Sequence, residues 1–159
     1  AVTEPVLTTL DPISYVADMM EATGLAGTGV CCIAWQKERD DWIGPYAWTE
    51  EQVASELRDV AKAAASLLIH LDVEDPEAAF VAEWERAAVK HPGMTLDADG
   101  PTDENRFYAL AEEVGEVAAS LTYDNAQGTG HNADTIAEVT QVGALALAWL
   151  TRYQDGEEN

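Results

Sequence analysis

The sequence predicts an all-α protein. Helix-capping signals recur along most of the 159 residues, and apolar residues repeat at helical spacing after each signal. The clearest example is a capping-box pattern, Thr49 with Gln52, ahead of a long amphipathic stretch. Two segments rich in glycine, residues 25–48 and 124–133, interrupt the helical pattern. A chain of this length can bury a core of its own, so we expect one domain.

The first 48 residues contain one predicted helix and one segment whose structure the pattern leaves open. Asp11 as N-cap and Pro12 at the first helical position predict a helix over residues 13–23. Gly24 is expected to end it. Residues 25–48 contain glycine, proline and three tryptophans, and a short strand, a short helix and a packed loop are all compatible with this composition.

The middle of the chain contains two further predicted helices. The residues expected to form the buried face of a helix over residues 53–71 are Val53, Leu57, Val60, Ala64, Leu67, Leu68 and Leu71. Asp75 and Pro76 repeat the combination of N-cap and proline ahead of a helix over residues 77–90. The sequence His-Pro-Gly at residues 91–93 is expected to end that helix.

The last third of the chain predicts two helices and a polar connection. Thr102 precedes a helix over residues 103–123, whose acidic first turn agrees with the helix dipole. A polar, glycine-rich loop over residues 124–133 follows. The final helix begins near Thr135 and fades around Tyr153, and it is the most apolar helix of the chain.

Composition excludes several classes of partner. The chain has 30 acidic and 8 basic residues, which gives a formal net charge of −22. We therefore expect neither nonspecific nucleic-acid binding nor attraction to an anionic membrane. No apolar run is long enough to span a bilayer and no secretion signal is present, so we expect a cytoplasmic protein. The adjacent Cys31 and Cys32 are awkwardly placed for a mutual disulfide, and we expect both to be reduced and buried.

Carboxylates on otherwise apolar helices are the most informative feature of the sequence. Glu113 and Glu116 lie one turn apart at the edge of an apolar stripe, and Glu138 lies with Gln141 on the apolar line of the final helix. A charge directed at a helix interface is unfavourable unless something compensates it. Several carboxylates from two helices suit a divalent cation. Glu112, on the outer side, is a further ligand or a base.

The same carboxylates also have an ordinary explanation as the solvated face of an acidic helix, in which Glu138 belongs to a capping box. Gly115 favours the metal site, because glycine inside a helix costs roughly 1 kcal/mol relative to alanine and implies a close approach. The E-x-x-D pattern that ends at Asp59 offers a second acidic half-motif. Either Asp59 completes the metal site, or this helix has only ordinary surface ion pairs made by Arg58.

These residues resemble a known family. The sequences EEVGE at residues 112–116 and EVTQVGALALAWL at residues 138–150 are similar to those of the MazG-like all-α nucleoside triphosphate pyrophosphohydrolases of bacteriophages and actinobacteria. The segment EWERAAVKHPGMTLD, residues 83–97, precedes them in the order and spacing of that group. The resemblance covers about residues 82–153.

The resemblance implies an architecture. It implies an antiparallel helix bundle of the all-α nucleoside triphosphate pyrophosphohydrolase type, with additional N-terminal helices. In a single domain over residues 1–159, residues 76–153 would carry the carboxylates, and residues 1–75 would be an N-terminal helical extension without an assigned role. Members of the family associate through the bundle, so we expect a homodimer or homotetramer in which residues 142–150 are central.

The resemblance also implies an activity, the Mg²⁺-dependent hydrolysis of a nucleoside triphosphate to the monophosphate and pyrophosphate, with Mn²⁺ as an alternative cation. The implied metal ligands are Glu113, Glu116, Glu138 and Gln141, and the implied catalytic residues are Glu112 and Glu116. The family usually has an acid where this chain has Gln141, so an amide oxygen replaces one charge.

The substrate contacts that the resemblance implies lie mainly before the carboxylate helices. Arg86, Lys90 and His91 would offset phosphate charge, and Trp84 or Tyr123 would stack on the base. Two other functions are compatible with the sequence. One is an acidic helical interaction protein, such as a phage inhibitor or a nucleic-acid charge mimic with a degenerate metal site. The other is a nucleotide-binding protein without turnover.

Overall fold

The computed structural model describes residues 11–39, 47–128 and 133–154. Within these ranges the chain forms helices and no strand, which confirms the all-α prediction. The helices are α1 (Asp11–Glu38), α2 (Glu50–His70), α3 (Pro76–Lys90), α4 (Asp103–Ser120), α5 (Tyr123–Ala126) and α6 (Thr135–Gln154). None of them combines the length and the apolar composition that crossing a membrane requires.

Four long helices form the bundle. α1 and α6 each pack against both α2 and α4, and α3 lies outside this ring, mainly against α6. The largest fully buried side chains come from all four bundle helices and include Met19, Leu57, Leu67, Leu68, Leu110, Val117, Val142 and Trp149. The apolar segment 142–150, expected at a subunit interface, is largely covered by its own chain. The association state stays a prediction.

The predicted capping box starts α2. The backbone N–H of Gln52 donates to Thr49 Oγ1 at 3.1 Å, and the N–H of Thr49 donates to Gln52 Oε1 at 2.8 Å. All the residues predicted for the buried face are buried except Leu71, which is only partly buried because it is the C-cap residue. Local capping and helical periodicity are therefore sufficient to predict this helix.

α1 is much longer than predicted, because it continues through Gly24 to residue 38. The residues after Gly24 belong to the segment that the sequence left open, and packing explains their helical state. A side chain at Gly27 would collide with Phe107 of α4, and one at Gly29 would collide with Val53 of α2. The glycines therefore allow two neighbouring helices to approach α1 closely, and this packing outweighs their low helix propensity.

The end of α1 is fixed to the start of α2 by one side chain. Gln36 Nε2 donates to the carbonyl of Trp48 at 3.0 Å, and the N–H of Trp48 donates to Gln36 Oε1 at 2.7 Å. Residues 40–46 between them lie outside the described residues. Both cysteines of α1 are free, but Cys31 is exposed and Cys32 only partly buried. The prediction that they are buried is wrong because the long helix turns Cys31 to the surface.

α3 has the predicted N-terminus and is seated on α6. Asp75 Oδ1 accepts a hydrogen bond from the N–H of Ala78 at 3.0 Å, and Pro76 occupies the first turn. Phe80, 2% exposed, packs where a side chain on Gly143 of α6 would collide with its ring. This contact sets how closely α3 approaches α6.

The helix predicted over residues 103–123 is divided in two. α4 ends at Ser120, and Thr122, in an extended conformation, caps the single turn of α5 by accepting from the N–H of Asn125 at 3.4 Å. Asn125 Nδ2 donates to the carbonyl of Ser120 at 2.8 Å, and the N–H of Ala133 donates to Asn125 Oδ1 at 2.9 Å. A threonine cap therefore ends the predicted helix early. Residues 129–132 of the predicted loop lie outside the described residues.

We expect Gly143→Ala to destabilise the protein by about 1–2 kcal/mol. The added methyl group must displace the buried Phe80 ring, and overpacking of this kind outweighs the gain in helix propensity. Urea denaturation followed by circular dichroism measures the change. The control is Gly115→Ala, where the methyl group meets no atom within 4 Å and stability should be equal or higher. Equal stability of both variants would contradict the proposed role of the Phe80 contact.

Candidate functional site

Two carboxyl groups meet between α4 and α6. The side chains of Glu113 and Glu138 share a hydrogen bond, and burial, followed by the charges of Glu138, Glu112 and Glu116, raises the pKa of Glu113 to about 7. The pKa of Glu138 is also raised, by burial and then by Glu116, whereas its hydrogen bond with Glu113 lowers it. The two carboxyl groups are therefore coupled, and both are protonated more readily than an ordinary glutamate.

Gln141 completes the polar cluster as a hydrogen-bond donor. The orientation of its side-chain amide is assigned from hydrogen bonding. With the nitrogen on the side of Glu113, both the amide nitrogen and the amide oxygen have complementary surroundings. In this orientation the Gln141 nitrogen lies 2.8 Å from Glu113 Oε2 and 3.2 Å from Glu113 Oε1. The predicted role was that of an oxygen ligand, which the amide would supply only after rotating.

A cavity of about 340 Å³ opens beside this cluster, between α3, α4, α6 and the turn that follows α3. The predicted site residues that line it are Trp84, Arg86, Lys90, His91, Glu113 and Gln141. These residues are up to 57 positions apart in sequence, and only the packing of α3 on α6 brings them to one place. The cavity therefore combines an aromatic ring, three basic side chains, an amide and two carboxyl groups, the second of which belongs to Glu83.

The other predicted site residues lie elsewhere. In the described part of the chain, the cavity lining does not include Glu112, Glu116, Glu138 or Tyr123. Glu112 and Glu116 are exposed on α4. Glu116 is nevertheless close enough to raise the pKa of both Glu113 and Glu138. Tyr123 is 77% exposed on α5, because the threonine cap ends α4 before reaching it.

Hydrogen bonds orient two of the cavity residues. Trp84 Nε1 donates to Asp97 Oδ1 at 3.1 Å, which fixes the indole ring. Arg86 donates to both carboxylate oxygens of Glu83, at 2.6 and 2.8 Å, so part of its charge is already balanced. Lys90 and His91 are exposed at the end of α3. They are therefore accessible to an anionic group entering the cavity.

Arg106, which was not predicted as a site residue from the sequence, holds the wall of the cavity. This side chain is 4% exposed, and it donates to the carbonyls of Leu96 at 2.8 Å and Ala98 at 2.7 Å and to Asp103 Oδ1 at 2.7 Å. Arg106 lies one turn before Leu110 on the predicted apolar stripe of α4. The sequence feature that could have identified Arg106 is a basic residue on the same helix face as the apolar stripe.

A second arginine holds the same turn. Arg152 near the end of α6 donates to Asp99 Oδ1 at 2.6 Å and to the carbonyl of Asp97 at 3.2 Å. The hydrogen bond and charge of Arg152 lower the pKa of the Asp99 carboxyl. The turn after α3 is therefore attached to both α4 and α6, the helices that carry the acidic cluster.

Asp59 lies on a different cavity, of about 400 Å³, between α1 and α2, and therefore does not complete the α4–α6 cluster. Glu56 lines it too, and burial, then the charges of Asp59 and Glu21, raises the pKa of Glu56. Residues of α2 and α6 line their respective cavities with the same spacing. The α1–α2 cavity is lined by α2 positions that include 59, 62, 63 and 66, and the cavity between α3, α4 and α6 is lined by α6 positions 141, 144, 145 and 148. The two helices thus present side chains at the same intervals. Arg58 pairs with Glu51 at 2.7 Å, the ordinary surface interaction.

No protein-family model, curated protein or solved structure matches the chain. The MazG-like resemblance therefore stays a prediction. In residues 11–39, 47–128 and 133–154, no three His, Cys, Asp or Glu side chains form a group arranged to hold a metal ion. The chemistry of the donors nevertheless fits Mg²⁺, because Glu113 and Glu138 bring hard carboxylate oxygens together from facing helices, and the charge of Glu138 raises the pKa of Glu113.

We expect the stability of the metal-free protein to fall between pH 5 and pH 8 because of Glu113. Its pKa in the folded protein, about 7, lies above the ordinary value of 4.5, so its stabilising contribution is complete at low pH and is lost as the pH rises through 7. Allowing for its partial exposure, the loss is roughly 1–2 kcal/mol. Urea denaturation in EDTA should show a shallower pH dependence for Glu113→Gln, and Glu85→Gln, which replaces an exposed carboxylate of α3, should keep the wild-type slope.

We expect Arg106→Met to destabilise the protein by about 2–4 kcal/mol, because two carbonyls lose their charged donor. The matched control is Arg58→Met, which removes an exposed ion pair and should change stability by less than about 1 kcal/mol. Hydrogen exchange should also become faster in residues 94–99 of the Arg106 variant. Unchanged exchange there would contradict the role of Arg106 in holding the turn.

Proposed function

We propose that the protein is a Mg²⁺-dependent nucleotide pyrophosphohydrolase whose substrate binds in the cavity between α3, α4 and α6. The observation that carries the proposal is that Trp84, Lys90 and His91 line the same cavity as Glu113 and Gln141. A nucleotide needs an aromatic or apolar surface for its base, basic groups for its phosphates and carboxylates for a cation. This cavity and its border supply all three.

The charge of the chain makes the basic residues of this cavity significant. The net charge of −22 disfavours any phosphate group near most of the surface. Arg86 and Lys90 are two of only eight Lys and Arg residues, and both line the cavity. A phosphate chain would therefore bind at the end of α3, where Lys90 and His91 are exposed.

The carboxylates Glu113, Glu116 and Glu138 would hold Mg²⁺ or Mn²⁺, and Gln141 would contribute its amide oxygen after rotation. The bound cation would polarise the phosphoryl oxygens and lower the pKa of a water molecule. Glu112 would accept the proton of the attacking water as the bond between the α and β phosphates breaks. Trp84, fixed by Asp97, would stack on the base.

A second candidate function is nucleotide binding without turnover. Two arguments favour it: Gln141 occurs where the resembled family has an acid, and hydrogen-bond complementarity assigns its nitrogen, not its oxygen, to the side of Glu113. The cavity contacts to base and phosphates are the same for both functions. They differ only in whether product forms.

We expect pyrophosphate release when the protein is mixed with Mg²⁺ and a panel of dNTPs and NTPs. Glu116→Gln and Glu113→Gln should each lower the rate at least about 100-fold, since each removes a carboxylate from the cation site. Asp59→Asn is the matched control, because it also replaces a carboxylate with an amide but lies on the α1–α2 cavity. It should leave both the rate and the Mg²⁺ affinity unchanged.

Calorimetry with the same nucleotides separates the remaining outcomes. Binding that Lys90→Ala weakens, without product, would select the binding protein over the enzyme. Absence of both binding and product across the panel would contradict both functions. Salt-sensitive binding to a DNA-handling protein would then favour the acidic interaction protein.

A further inference from the structure

An apolar groove between α1 and α4 has no part in the proposed function. Two cavities, of about 560 and 210 Å³, lie along α1 and α4 and are both lined by Phe107; together they are here called the α1–α4 groove. The residues that define it are Met20, Gly24 and Trp35 of α1 and Tyr108 and Gly115 of α4. Met20 is 47%, Trp35 53% and Tyr108 58% exposed, so large apolar surfaces face the solvent there.

Two glycines of the groove are not explained by packing within the chain. Side chains at Gly27, Gly29 and Gly143 would collide with neighbours, so those glycines are needed for helix contacts. A Cβ at Gly24 or Gly115 would meet no atom within 4 Å. Gly115 was expected to mark a close approach, and no part of the described chain makes one. Glycine inside a helix is unfavourable, and two such residues on the same groove indicate that a partner approaches the backbone here.

A buried hydroxyl group lies at the same place. Thr23, next to Gly24, is 3% exposed and lines the smaller cavity, and its Oγ1 has no hydrogen-bond partner in the described part of the chain. Buried polar groups are normally paired, because an unpaired one loses its hydration without compensation. The wall of the smaller cavity therefore holds a polar atom that the described part of the chain leaves unpaired.

Charge identifies the kind of partner. Asp103, Glu104 and Lys37 line the end of the groove, and Asp103 is already paired with Arg106, so the attraction for a basic partner comes from Glu104 and from the net charge of −22 of the whole chain. A second copy of the chain or a nucleic acid would carry the same sign of charge, whereas a basic protein segment is attracted. From Met20 to Trp35 the groove follows fifteen residues of α1, about 22 Å at helical rise. This length accommodates a helix of about four turns.

We propose that the α1–α4 groove binds a basic amphipathic helix of a partner protein. Its apolar stripe would cover Met20, Trp35 and Tyr108, its backbone would approach Gly24 and Gly115, and its Lys or Arg side chains would lie near Asp103 and Glu104. The inference is independent of the nucleotide site. It would give the protein a binding function on another face of the bundle.

The test uses three labelled synthetic peptides of about five helical turns. One has a leucine stripe at helical spacing with lysines on the other face, the second is its scramble with the same composition, and the third has glutamate in place of lysine. Fluorescence anisotropy with the full-length protein should show that the first binds at least about tenfold more tightly than either control. Equal binding of the first peptide and its scramble would overturn the proposal, because attraction to the general acidic surface would then suffice.

The protein variants locate the binding site. Gly24→Leu and Gly115→Leu fill the groove and should each weaken binding of the first peptide at least about tenfold, with an unchanged or higher melting temperature. Ala88→Leu, which adds the same kind of side chain at an exposed position of α3, should bind as the wild type does. Peptide-induced NMR shifts should map to α1 and α4. Shifts confined to the α1–α2 cavity, or wild-type self-association that Gly115→Leu abolishes, would overturn the proposal.

Discussion

The bundle depends on three close contacts in which a side chain of one helix occupies the space left by a glycine on another. Gly27 accepts Phe107 and joins α1 to α4, Gly29 accepts Val53 and joins α1 to α2, and Gly143 accepts Phe80 and joins α6 to α3. Glycine lowers the stability of an isolated helix, so each contact must be maintained by tertiary packing. The third contact matters most for the site, since it places the basic and aromatic residues of α3 beside α6.

The candidate site places several carboxyl groups close together, an unfavourable arrangement that the packing of the other helices must stabilise. Burial and neighbouring carboxylates raise the pKa of both Glu113 and Glu138 there. Such clusters are more often retained for chemistry than for stability. The turn opposite them is held by Arg106 and Arg152, which connect it to the two acidic helices. The cavity is thus bounded by packed helices and by a turn that two arginines hold in place.

The two cavities lined by acidic residues differ in their basic and aromatic residues, and for this reason only one of them is a candidate nucleotide site. α2 and α6 present lining residues at the same intervals, with Asp59 on one and Gln141 on the other. What distinguishes the second cavity is α3, which contributes Trp84, Lys90 and the His91 turn. The α1–α2 cavity has no helix in this position, so its acids face no comparable set of basic groups among the described residues.

The sequence by itself determined the features that depend on neighbouring residues. The caps at Thr49 and Asp75, the buried face of α2 and the presence of acids on apolar helices all follow from local hydrogen bonding and helical periodicity. Only the tertiary structure decided that α1 continues through Gly24, that Arg106 is buried, and that Gln141 lies beside Glu113. Each of these depends on contacts between residues distant in sequence. The energies of such contacts exceed helix propensities and are set by three-dimensional packing, which no local pattern encodes.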